Sequence, residues 1–229
     1  MSIKKTFVIS LGGSLIVPQE GVDWKFLKKF YEFIKNQLMC GNKFFIITGG
    51  GRTCRNYIEA AEKITNFSDK ELDWLGIHTS HLNAQFLRMI FGKLAHEKIV
   101  TDPTARIKTS KKIIIGGGWK PGWSTDYVAT VMAERHKVNT LINLSNIDYA
   151  YDKDPSKYDD AKKIREIDWA GFREIVGSKW IPGLSAPFDP IATRKAEEIG
   201  LKVIIINGRK LANLEKCLQG RKFSGTVIS

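Results

Sequence analysis

Short apolar runs alternate with longer amphipathic segments along the chain. Six runs read as strands: Thr6–Leu11, Lys43–Thr48, Lys112–Ile115, Thr140–Leu144, Lys202–Asn207 and Thr226–Ile228. The segments between them predict helices over about Asp23–Met39, Arg52–Ile64, Ser68–Phe91, Thr125–Arg135 and Pro190–Ile199. This alternation predicts an α/β fold, an αβα three-layer sandwich with a mainly parallel central sheet.

Two of these helices carry clear start signals. Ser68 and Glu71 have the spacing of a capping box, so a long helix is expected to begin at Ser68. Asp189 precedes Pro190, which favours a helix with an aspartate N-cap and proline at its first position. No Pro/Ser-rich linker divides the chain, so residues 1–229 are expected to form a single domain.

A glycine cluster follows each of the first three strands. The clusters are Gly12-Gly13, Gly49-Gly50-Gly51 and Gly116-Gly117-Gly118. Glycine lets the backbone turn tightly and approach a ligand closely, and its N–H groups beside a helix N-terminus suit phosphate oxygens. Three such clusters on one sheet predict a polyphosphate bound across one sheet edge.

Composition narrows the class of protein. The chain has 229 residues, is 43% hydrophobic and carries a net charge of +12. The lysines are dispersed rather than clustered, which favours general attraction of anions over a nucleic-acid footprint, so we expect no nucleic-acid partner. No apolar run approaches the ~20 residues of a membrane span, and the N-terminus lacks a signal-peptide pattern. We expect no membrane partner.

Cysteines and histidines give no metal pattern. Cys40, Cys54 and Cys217 are scattered, which suits a reducing compartment and predicts a cytoplasmic location. The four histidines have no zinc-ligand spacing, although His78 and His81 share a helix face. We therefore expect no protein-held metal.

The ordered motifs resemble the amino acid kinase superfamily. They are Gly12-Gly13-Ser14, Gly49-Gly50-Gly51 with Arg55, the D-x-x-G element formed by Asp73 and Gly76, the segment Gly118–Asp126 and the segment Asp148–Pro155. Within that superfamily the set is most similar to uridylate (UMP) kinases of the archaeal type, and it covers essentially the whole chain. The resemblance implies ATP-dependent phosphorylation of UMP to UDP, with Mg²⁺ entering with ATP.

The resemblance also implies roles for individual residues. ATP-binding positions are expected at Gly12, Gly13, Gly51, Arg55, Ser145, Tyr151 and Asp154. UMP-binding positions are expected at Gly50, Asp73, Gly118, Gly122, Ser124 and Thr125. The acceptor part would cover about residues 1–135 and the ATP part about residues 136–229. Members of this type assemble as hexamers built from dimers, so a homo-oligomer is expected.

The catalytic machinery is less defined. Asp189 matches the aspartate that orients the transfer, although an N-cap role explains it equally well. Many superfamily members carry a lysine where this chain has Ser10. This leaves the catalytic cation unassigned: Lys153, Lys120, Arg52 and Mg²⁺ are the candidates, and Lys153 is named with Asp189 as a catalytic position to be tested. Trp119 and Trp123 flank the acceptor loop and fit either a base or a packing role.

Other readings stay open on the sequence alone. Isopentenyl phosphate kinases of the same superfamily are expected to have a histidine just after the second glycine cluster, where this chain has Arg52–Arg55. A non-catalytic nucleotide or oxyanion storage protein on the same fold is a further alternative, which the serine at position 10 leaves open.

Overall fold

A mostly parallel sheet forms the centre of the molecule. The computed structural model describes residues 5–153, 155, 157–177 and 186–229. The strands are β1 Thr6–Leu11, β2 Lys43–Thr48, β3 Ile113–Gly116, β4 Thr140–Ser145, β5 Ala150–Tyr151, β6 Lys163–Ile164, β7 Glu166–Ile167, β8 Lys202–Asn207 and β9 Thr226–Ile228. The helices are α1 Gly13–Ile16, α2 Trp24–Met39, α3 Gly51–Ile64, α4 Asp69–Phe91, α5 Thr125–Arg135, α6 Trp169–Val176, α7 Pro190–Glu198 and α8 Leu211–Leu218.

The strand order of the main sheet is β3-β2-β1-β4-β8-β9-β7. All neighbours are parallel except β8 and β9, which pair antiparallel. The short strands β5 and β6 form a separate antiparallel pair. The expected mainly parallel α/β architecture is therefore confirmed.

Two apolar clusters fill the layers on either side of the sheet. On one face, β-strand side chains such as Ile9 and Phe44 pack against Phe30 of α2 and Leu87 of α4. On the other face, Val8 packs with residues of α5, α6 and α7. Strands buried on both faces explain why the sequence shows continuous apolar runs rather than alternation. Among the described residues, no helix has the length and apolarity needed to cross a membrane.

Helix starts follow the expected signals. Ser68 and Glu71 form a complete capping box at the start of α4. Asp189 accepts hydrogen bonds from the backbone N–H groups of Ile191 and Ala192 at the start of α7. Since both helices border the site described below, these caps fix functional elements as well as helix ends.

Candidate functional site

The site lies where the carboxyl ends of the central strands meet. β1 sits between β2 and β4, and the strand order reverses there: β2 and β3 follow β1 towards one edge of the sheet, and β8 follows β4 towards the other. Open parallel sheets bind ligands at such a switch point. Three helices also begin at this edge, at Gly13, Gly51 and Thr125. Their N-termini add positive backbone potential that favours an anionic ligand.

The first two glycine turns touch each other. A Cβ placed on Gly13 would lie 2.1 Å from the backbone nitrogen of Gly51 and 2.7 Å from the carbonyl carbon of Gly49. Only glycine allows this approach, because real Cβ atoms do not come so near backbone atoms. Gly51 has a φ of +69°, a conformation that other residues rarely adopt. The glycines thus serve to bring two turns together at the sheet edge.

Next to these turns is a cavity of about 200 Å³ between α3, α4 and the loop before α5. Eight of the expected site residues line it: Gly50, Gly51, Arg55, Asp73, Gly118, Ser124, Thr125 and Asp189. The cavity also has an apolar wall that includes Leu72 and Ile77. The structure therefore brings most of the expected acceptor residues together, with Arg55 and Gly51 among them rather than apart.

Polar residues of α4 hold the glycine loops in place. Asn83 Nδ2 donates to the carbonyl oxygens of Gly49 at 2.7 Å and Gly50 at 3.2 Å. Ser80 Oγ accepts from the N–H of Gly118 at 2.8 Å, and His81 Nε2 donates to the Gly118 carbonyl at 2.7 Å. Both the second and the third glycine clusters are thereby fixed to one helix.

Asp73 closes one end of this arrangement. Its Oδ2 accepts from the backbone N–H of Gly122 at 2.6 Å, which ties α4 to the loop before α5. Gly122 itself does not line the cavity among the described residues, and has a φ of +85°. Its place in the site is that of a turn residue whose N–H orients Asp73.

Two carboxylates lie at the inner end of the cavity. Asp126 Oδ1 accepts from Ser10 Oγ at 2.7 Å and from Asn143 Nδ2 at 3.0 Å. Asp189 in turn accepts from the hydroxyl of Ser124. Ser10 thus occupies the position of the superfamily lysine with a neutral donor to Asp126.

This environment disfavours negative charge. Burial, together with the nearby charge of Asp189, raises the pKa of Asp126 to about 7 from 3.8. Burial also raises the pKa of Asp189, against the opposing effect of the hydrogen bonds from Ser124 and two backbone N–H groups. Ionisation of both Asp126 and Asp189 is therefore unfavourable unless a positively charged group lies close to them.

The cations named as candidates lie in different places. Arg55 lines the cavity, and Lys153 pairs through Nζ with Asp160 at 2.6 Å. Lys120 Nζ lies 4.1 Å from the ring centroid of Trp119, and Arg52 pairs with Glu59 at 3.0 Å. Among the described residues, Arg55 is the only lysine or arginine on the cavity wall. The catalytic role of Lys153 stays a prediction.

The expected ATP residues form a second group beside the cavity. The Gly12 N–H donates to the Leu144 carbonyl at 2.8 Å, so it is already used within the fold. Ser145 ends β4, and its carbonyl accepts from the Gly208 N–H at 2.8 Å. Tyr151 is half-buried in β5, opposite Lys163. Asp154 lies outside the described residues.

Sequence reasoning missed several residues of this site. Asp126, Asn143, Ser80 and Asn83 were not predicted to take part. Asp126 directly follows the expected Ser124 and Thr125. Acidic residues are common in the first turn of a helix, where they interact favourably with the helix dipole, so its position alone does not indicate a functional role. In α4, the available clue is that Ser80 and Asn83 are polar residues on the buried side of the helix. The sequence does not show which side is buried until the packing of the helix is known.

Comparison with known proteins identifies the class. Residues 5–207 match the model of the Amino acid kinase family, and the chain belongs to that family. The chain is 34% identical over 230 residues to a uridylate kinase of Methanospirillum hungatei, across 98% of this chain and 94% of the relative. It is 32% identical to a uridylate kinase of Methanobrevibacter smithii, across 97% of this chain and 98% of that protein.

A solved structure agrees. The crystal structure of uridylate kinase from Archaeoglobus fulgidus superposes with a TM-score of 0.81 at 29% identity, covering 99% of this chain and 100% of the other. The expected family and fold are thus confirmed.

Proposed function

We propose that this chain is a phosphotransferase that moves the γ-phosphoryl group of ATP to UMP, giving UDP and ADP. The observation that carries the proposal is the cavity at the carboxyl edge of the sheet, where helix N-termini and Arg55 converge. The uridylate kinase relatives match nearly the whole chain and support UMP as the acceptor.

The cavity suits an acceptor nucleotide. Arg55 has the planar, bidentate donor group that pairs with phosphate oxygens. The N-termini of α3 and α5 add backbone N–H groups on the same side. Asp73 Oδ2 accepts from the N–H of Gly122. The other carboxylate oxygen, Oδ1, is the one we assign to the ribose hydroxyls. Acceptor phosphate and ribose thus have separate polar groups.

The donor nucleotide is assigned to the adjoining group around β4 and β8. We place the triphosphate near Gly12, Gly13 and Gly51, and the nucleoside near Ser145, Tyr151 and Asp154. This gives an acceptor part over about residues 1–135 and a donor part over about residues 136–229. The contact between Gly13 and Gly51 then lies between donor and acceptor, where the phosphoryl group is transferred.

Magnesium is treated as part of the substrate, Mg·ATP. Within the described ranges, no three His, Cys, Asp or Glu side chains lie together as a metal site. The ion would neutralise charge on the β- and γ-phosphates. The chain's own contribution is to position the reactants: Asp189 orients the Ser124 hydroxyl and caps α7.

We further propose a cytoplasmic homo-oligomer. All three cysteines are free thiols, which suits a reducing compartment. Exposed apolar side chains follow one side of α4: Trp74, Leu82, Phe86 and Met89. A second copy of this chain is the partner we assign to that surface, in line with the hexamers expected from the resemblance.

The deciding experiment measures ADP release from Mg·ATP with a panel of acceptors: UMP, CMP, dUMP, GMP, AMP, isopentenyl phosphate, carbamate, N-acetylglutamate and aspartate. We expect turnover selective for UMP. Turnover with another acceptor would keep the fold and refute UMP. Nucleotide binding without turnover on any acceptor would favour a binding protein on this fold.

A further inference from the structure

A cluster of aromatic side chains contributes one residue to the wall of the acceptor cavity. Trp119, Trp123 and Tyr127 contact one another: the ring centroids are 5.2 Å apart for Trp119 and Trp123, and 3.9 Å apart for Trp123 and Tyr127. Both pairs are edge-to-face, with interplanar angles of 68° and 77°. Lys120 Nζ lies 4.1 Å from the Trp119 centroid and 5.0 Å from that of Trp123.

Only one member of this group lines the cavity among the described residues, and it is Trp123. Trp119 and Tyr127 each contact the ring of Trp123 edge to face but do not line the cavity themselves. Asp73 fixes the backbone just before Trp123, through the N–H of Gly122. Trp123 thus forms part of the cavity wall, with ring contacts to two neighbours and a hydrogen-bonded residue just before it.

The other residues that line the cavity indicate which part of a nucleotide Trp123 would contact. Under the proposed function, Arg55 and the helix N-termini bind the phosphate of the acceptor, and Asp73 binds its ribose. The apolar part of the wall includes Leu72, Ile77 and Trp123. A planar heteroaromatic ring is the part of a nucleotide that suits this surface, since every base has a π-face that packs on an aromatic side chain.

We infer that Trp123 is a specificity-determining residue that packs against the base of the acceptor nucleotide. The inference rests on the proposed function for the identity of the acceptor. Its consequence is that Trp123 contributes to recognition of the base and leaves recognition of the sugar phosphate unchanged.

The test compares two ligands that differ by the base alone: UMP and ribose 5-phosphate. Calorimetric dissociation constants are measured for the wild type, Trp123→Leu, Trp123→Phe and the matched control Trp119→Leu. Trp119 belongs to the same loop and aromatic group but not to the cavity wall. Binding of ribose 5-phosphate by each variant also reports that its site is folded.

The expected result is selective. Trp123→Leu weakens UMP binding at least about fivefold, the lower end for loss of one base–aromatic contact. The same variant changes ribose 5-phosphate binding less than twofold, Trp123→Phe restores most of the UMP affinity, and Trp119→Leu resembles the wild type.

Three results would overturn the inference. They are unchanged UMP affinity in Trp123→Leu, an equal loss for both ligands, and a loss in Trp119→Leu as large as that in Trp123→Leu. The last two would mean that Trp123 merely shapes the loop. Failure of the proposed function would be seen separately, as the absence of ADP release when the wild type is given Mg·ATP and UMP. The calorimetric comparison measures binding alone and does not require turnover.

Discussion

At the scale of single residues, the carboxylates Asp126 and Asp189 carry much of the electrostatics of the site. The hydrogen bonds to the Asp126 carboxylate come from the hydroxyl of Ser10 and the amide of Asn143. Neutral donors orient a carboxylate without compensating its charge as a lysine would. Replacement of the superfamily lysine by Ser10 therefore leaves a site that favours positive charge arriving with the substrate.

Asp126→Asn tests this view through stability. The pKa of this carboxyl rises from 3.8 in the unfolded chain to about 7 in the folded protein. The folded state therefore binds more protons between these values, and this group's contribution to stability falls as pH rises through that window. We expect urea unfolding to show Asp126→Asn more stable than the wild type at pH 8, by at least about 1 kcal/mol, and nearly equal to it at pH 4, with phosphoryl transfer impaired.

Asp148→Asn serves as a control of opposite sign. Hydrogen bonding to Lys210 lowers the pKa of Asp148, so its stabilising contribution is complete above the unfolded value of 3.8 and is lost only as pH falls further. The effect of this variant should not change between pH 5 and pH 8. Parallel stability curves for the wild type and Asp126→Asn would refute the raised pKa of Asp126.

Lys153→Ala tests one of the candidate catalytic cations. Its Nζ binds Asp160 in the substrate-free fold, and a catalytic role requires that ammonium group to turn to the transferring phosphoryl group. We expect kcat to fall more than KM for UMP rises, because a contact made in the transition state alone affects kcat. Steady-state kinetics measure both, with Lys162→Ala as the exposed neighbouring control. An unchanged kcat would remove Lys153 from the mechanism.

At the scale of elements, α4 organises the site. One side of this helix fixes two glycine loops through Ser80, His81 and Asn83. It also presents Asp73 and Gly76 to the cavity. The start of α4 is fixed by a capping box, so a local sequence signal sets the register of every contact that follows.

The regular elements show what the sequence can predict. The predicted boundaries of α5, β8 and β9 are those of the structure, since long apolar periods and caps are local signals. The predictions missed α6 and α8, each of eight residues, and the two-residue strands β5, β6 and β7. Such short elements form mainly through tertiary packing.

The site divides in the same way. Glycines after strands mark the sheet edge in any sequence of this type, so Gly13, Gly50 and Gly118 could be predicted. Asn143 is 17 residues from its partner Asp126, and Ser10 is 116 residues away. Local patterns carry no information on pairs that only the strand order β1-β4 and the packing of α5 bring together.

Gly76→Ala separates the requirements of the helix from those of the ligand. Gly76 lies inside α4, and the nearest contact of an added Cβ is Cys54 Sγ at 3.5 Å, an ordinary packing distance. We expect thermal unfolding to show a gain of up to about 1 kcal/mol, because alanine is the better helix former. We also expect weaker UMP binding by calorimetry, because the methyl group enters the cavity wall.

Gly13→Ala is the contrasting variant. Its Cβ would collide with the backbone of Gly51, so we expect it to lose stability as well as binding. A Gly76→Ala protein that binds UMP as the wild type does would show that this glycine has no role towards the ligand.

At the scale of the whole molecule, charge and exposed apolar surface have different consequences. The net charge of +12 is dispersed, and it favours the approach of anionic nucleotides from all directions. The exposed apolar residues, in contrast, include a row on α4. Leu82 and Met89 are each 61% exposed and lie two helical turns apart. An ordered apolar row of this kind is typical of an interaction surface.

Leu82→Asp tests whether that row is the contact between copies. A charge at the centre of an apolar interface cannot be buried without a partner, so we expect sedimentation equilibrium to show a smaller assembly than the wild type. Met39→Asp is the matched control, because Met39 is 76% exposed but is the last residue of α2 rather than a member of the row on α4. A monomeric wild type at micromolar concentration would contradict the proposed assembly. An unchanged assembly in Leu82→Asp would instead place the contact on another face. Because the opposite side of α4 holds the glycine loops, the subunit contact and the acceptor cavity would share one helix.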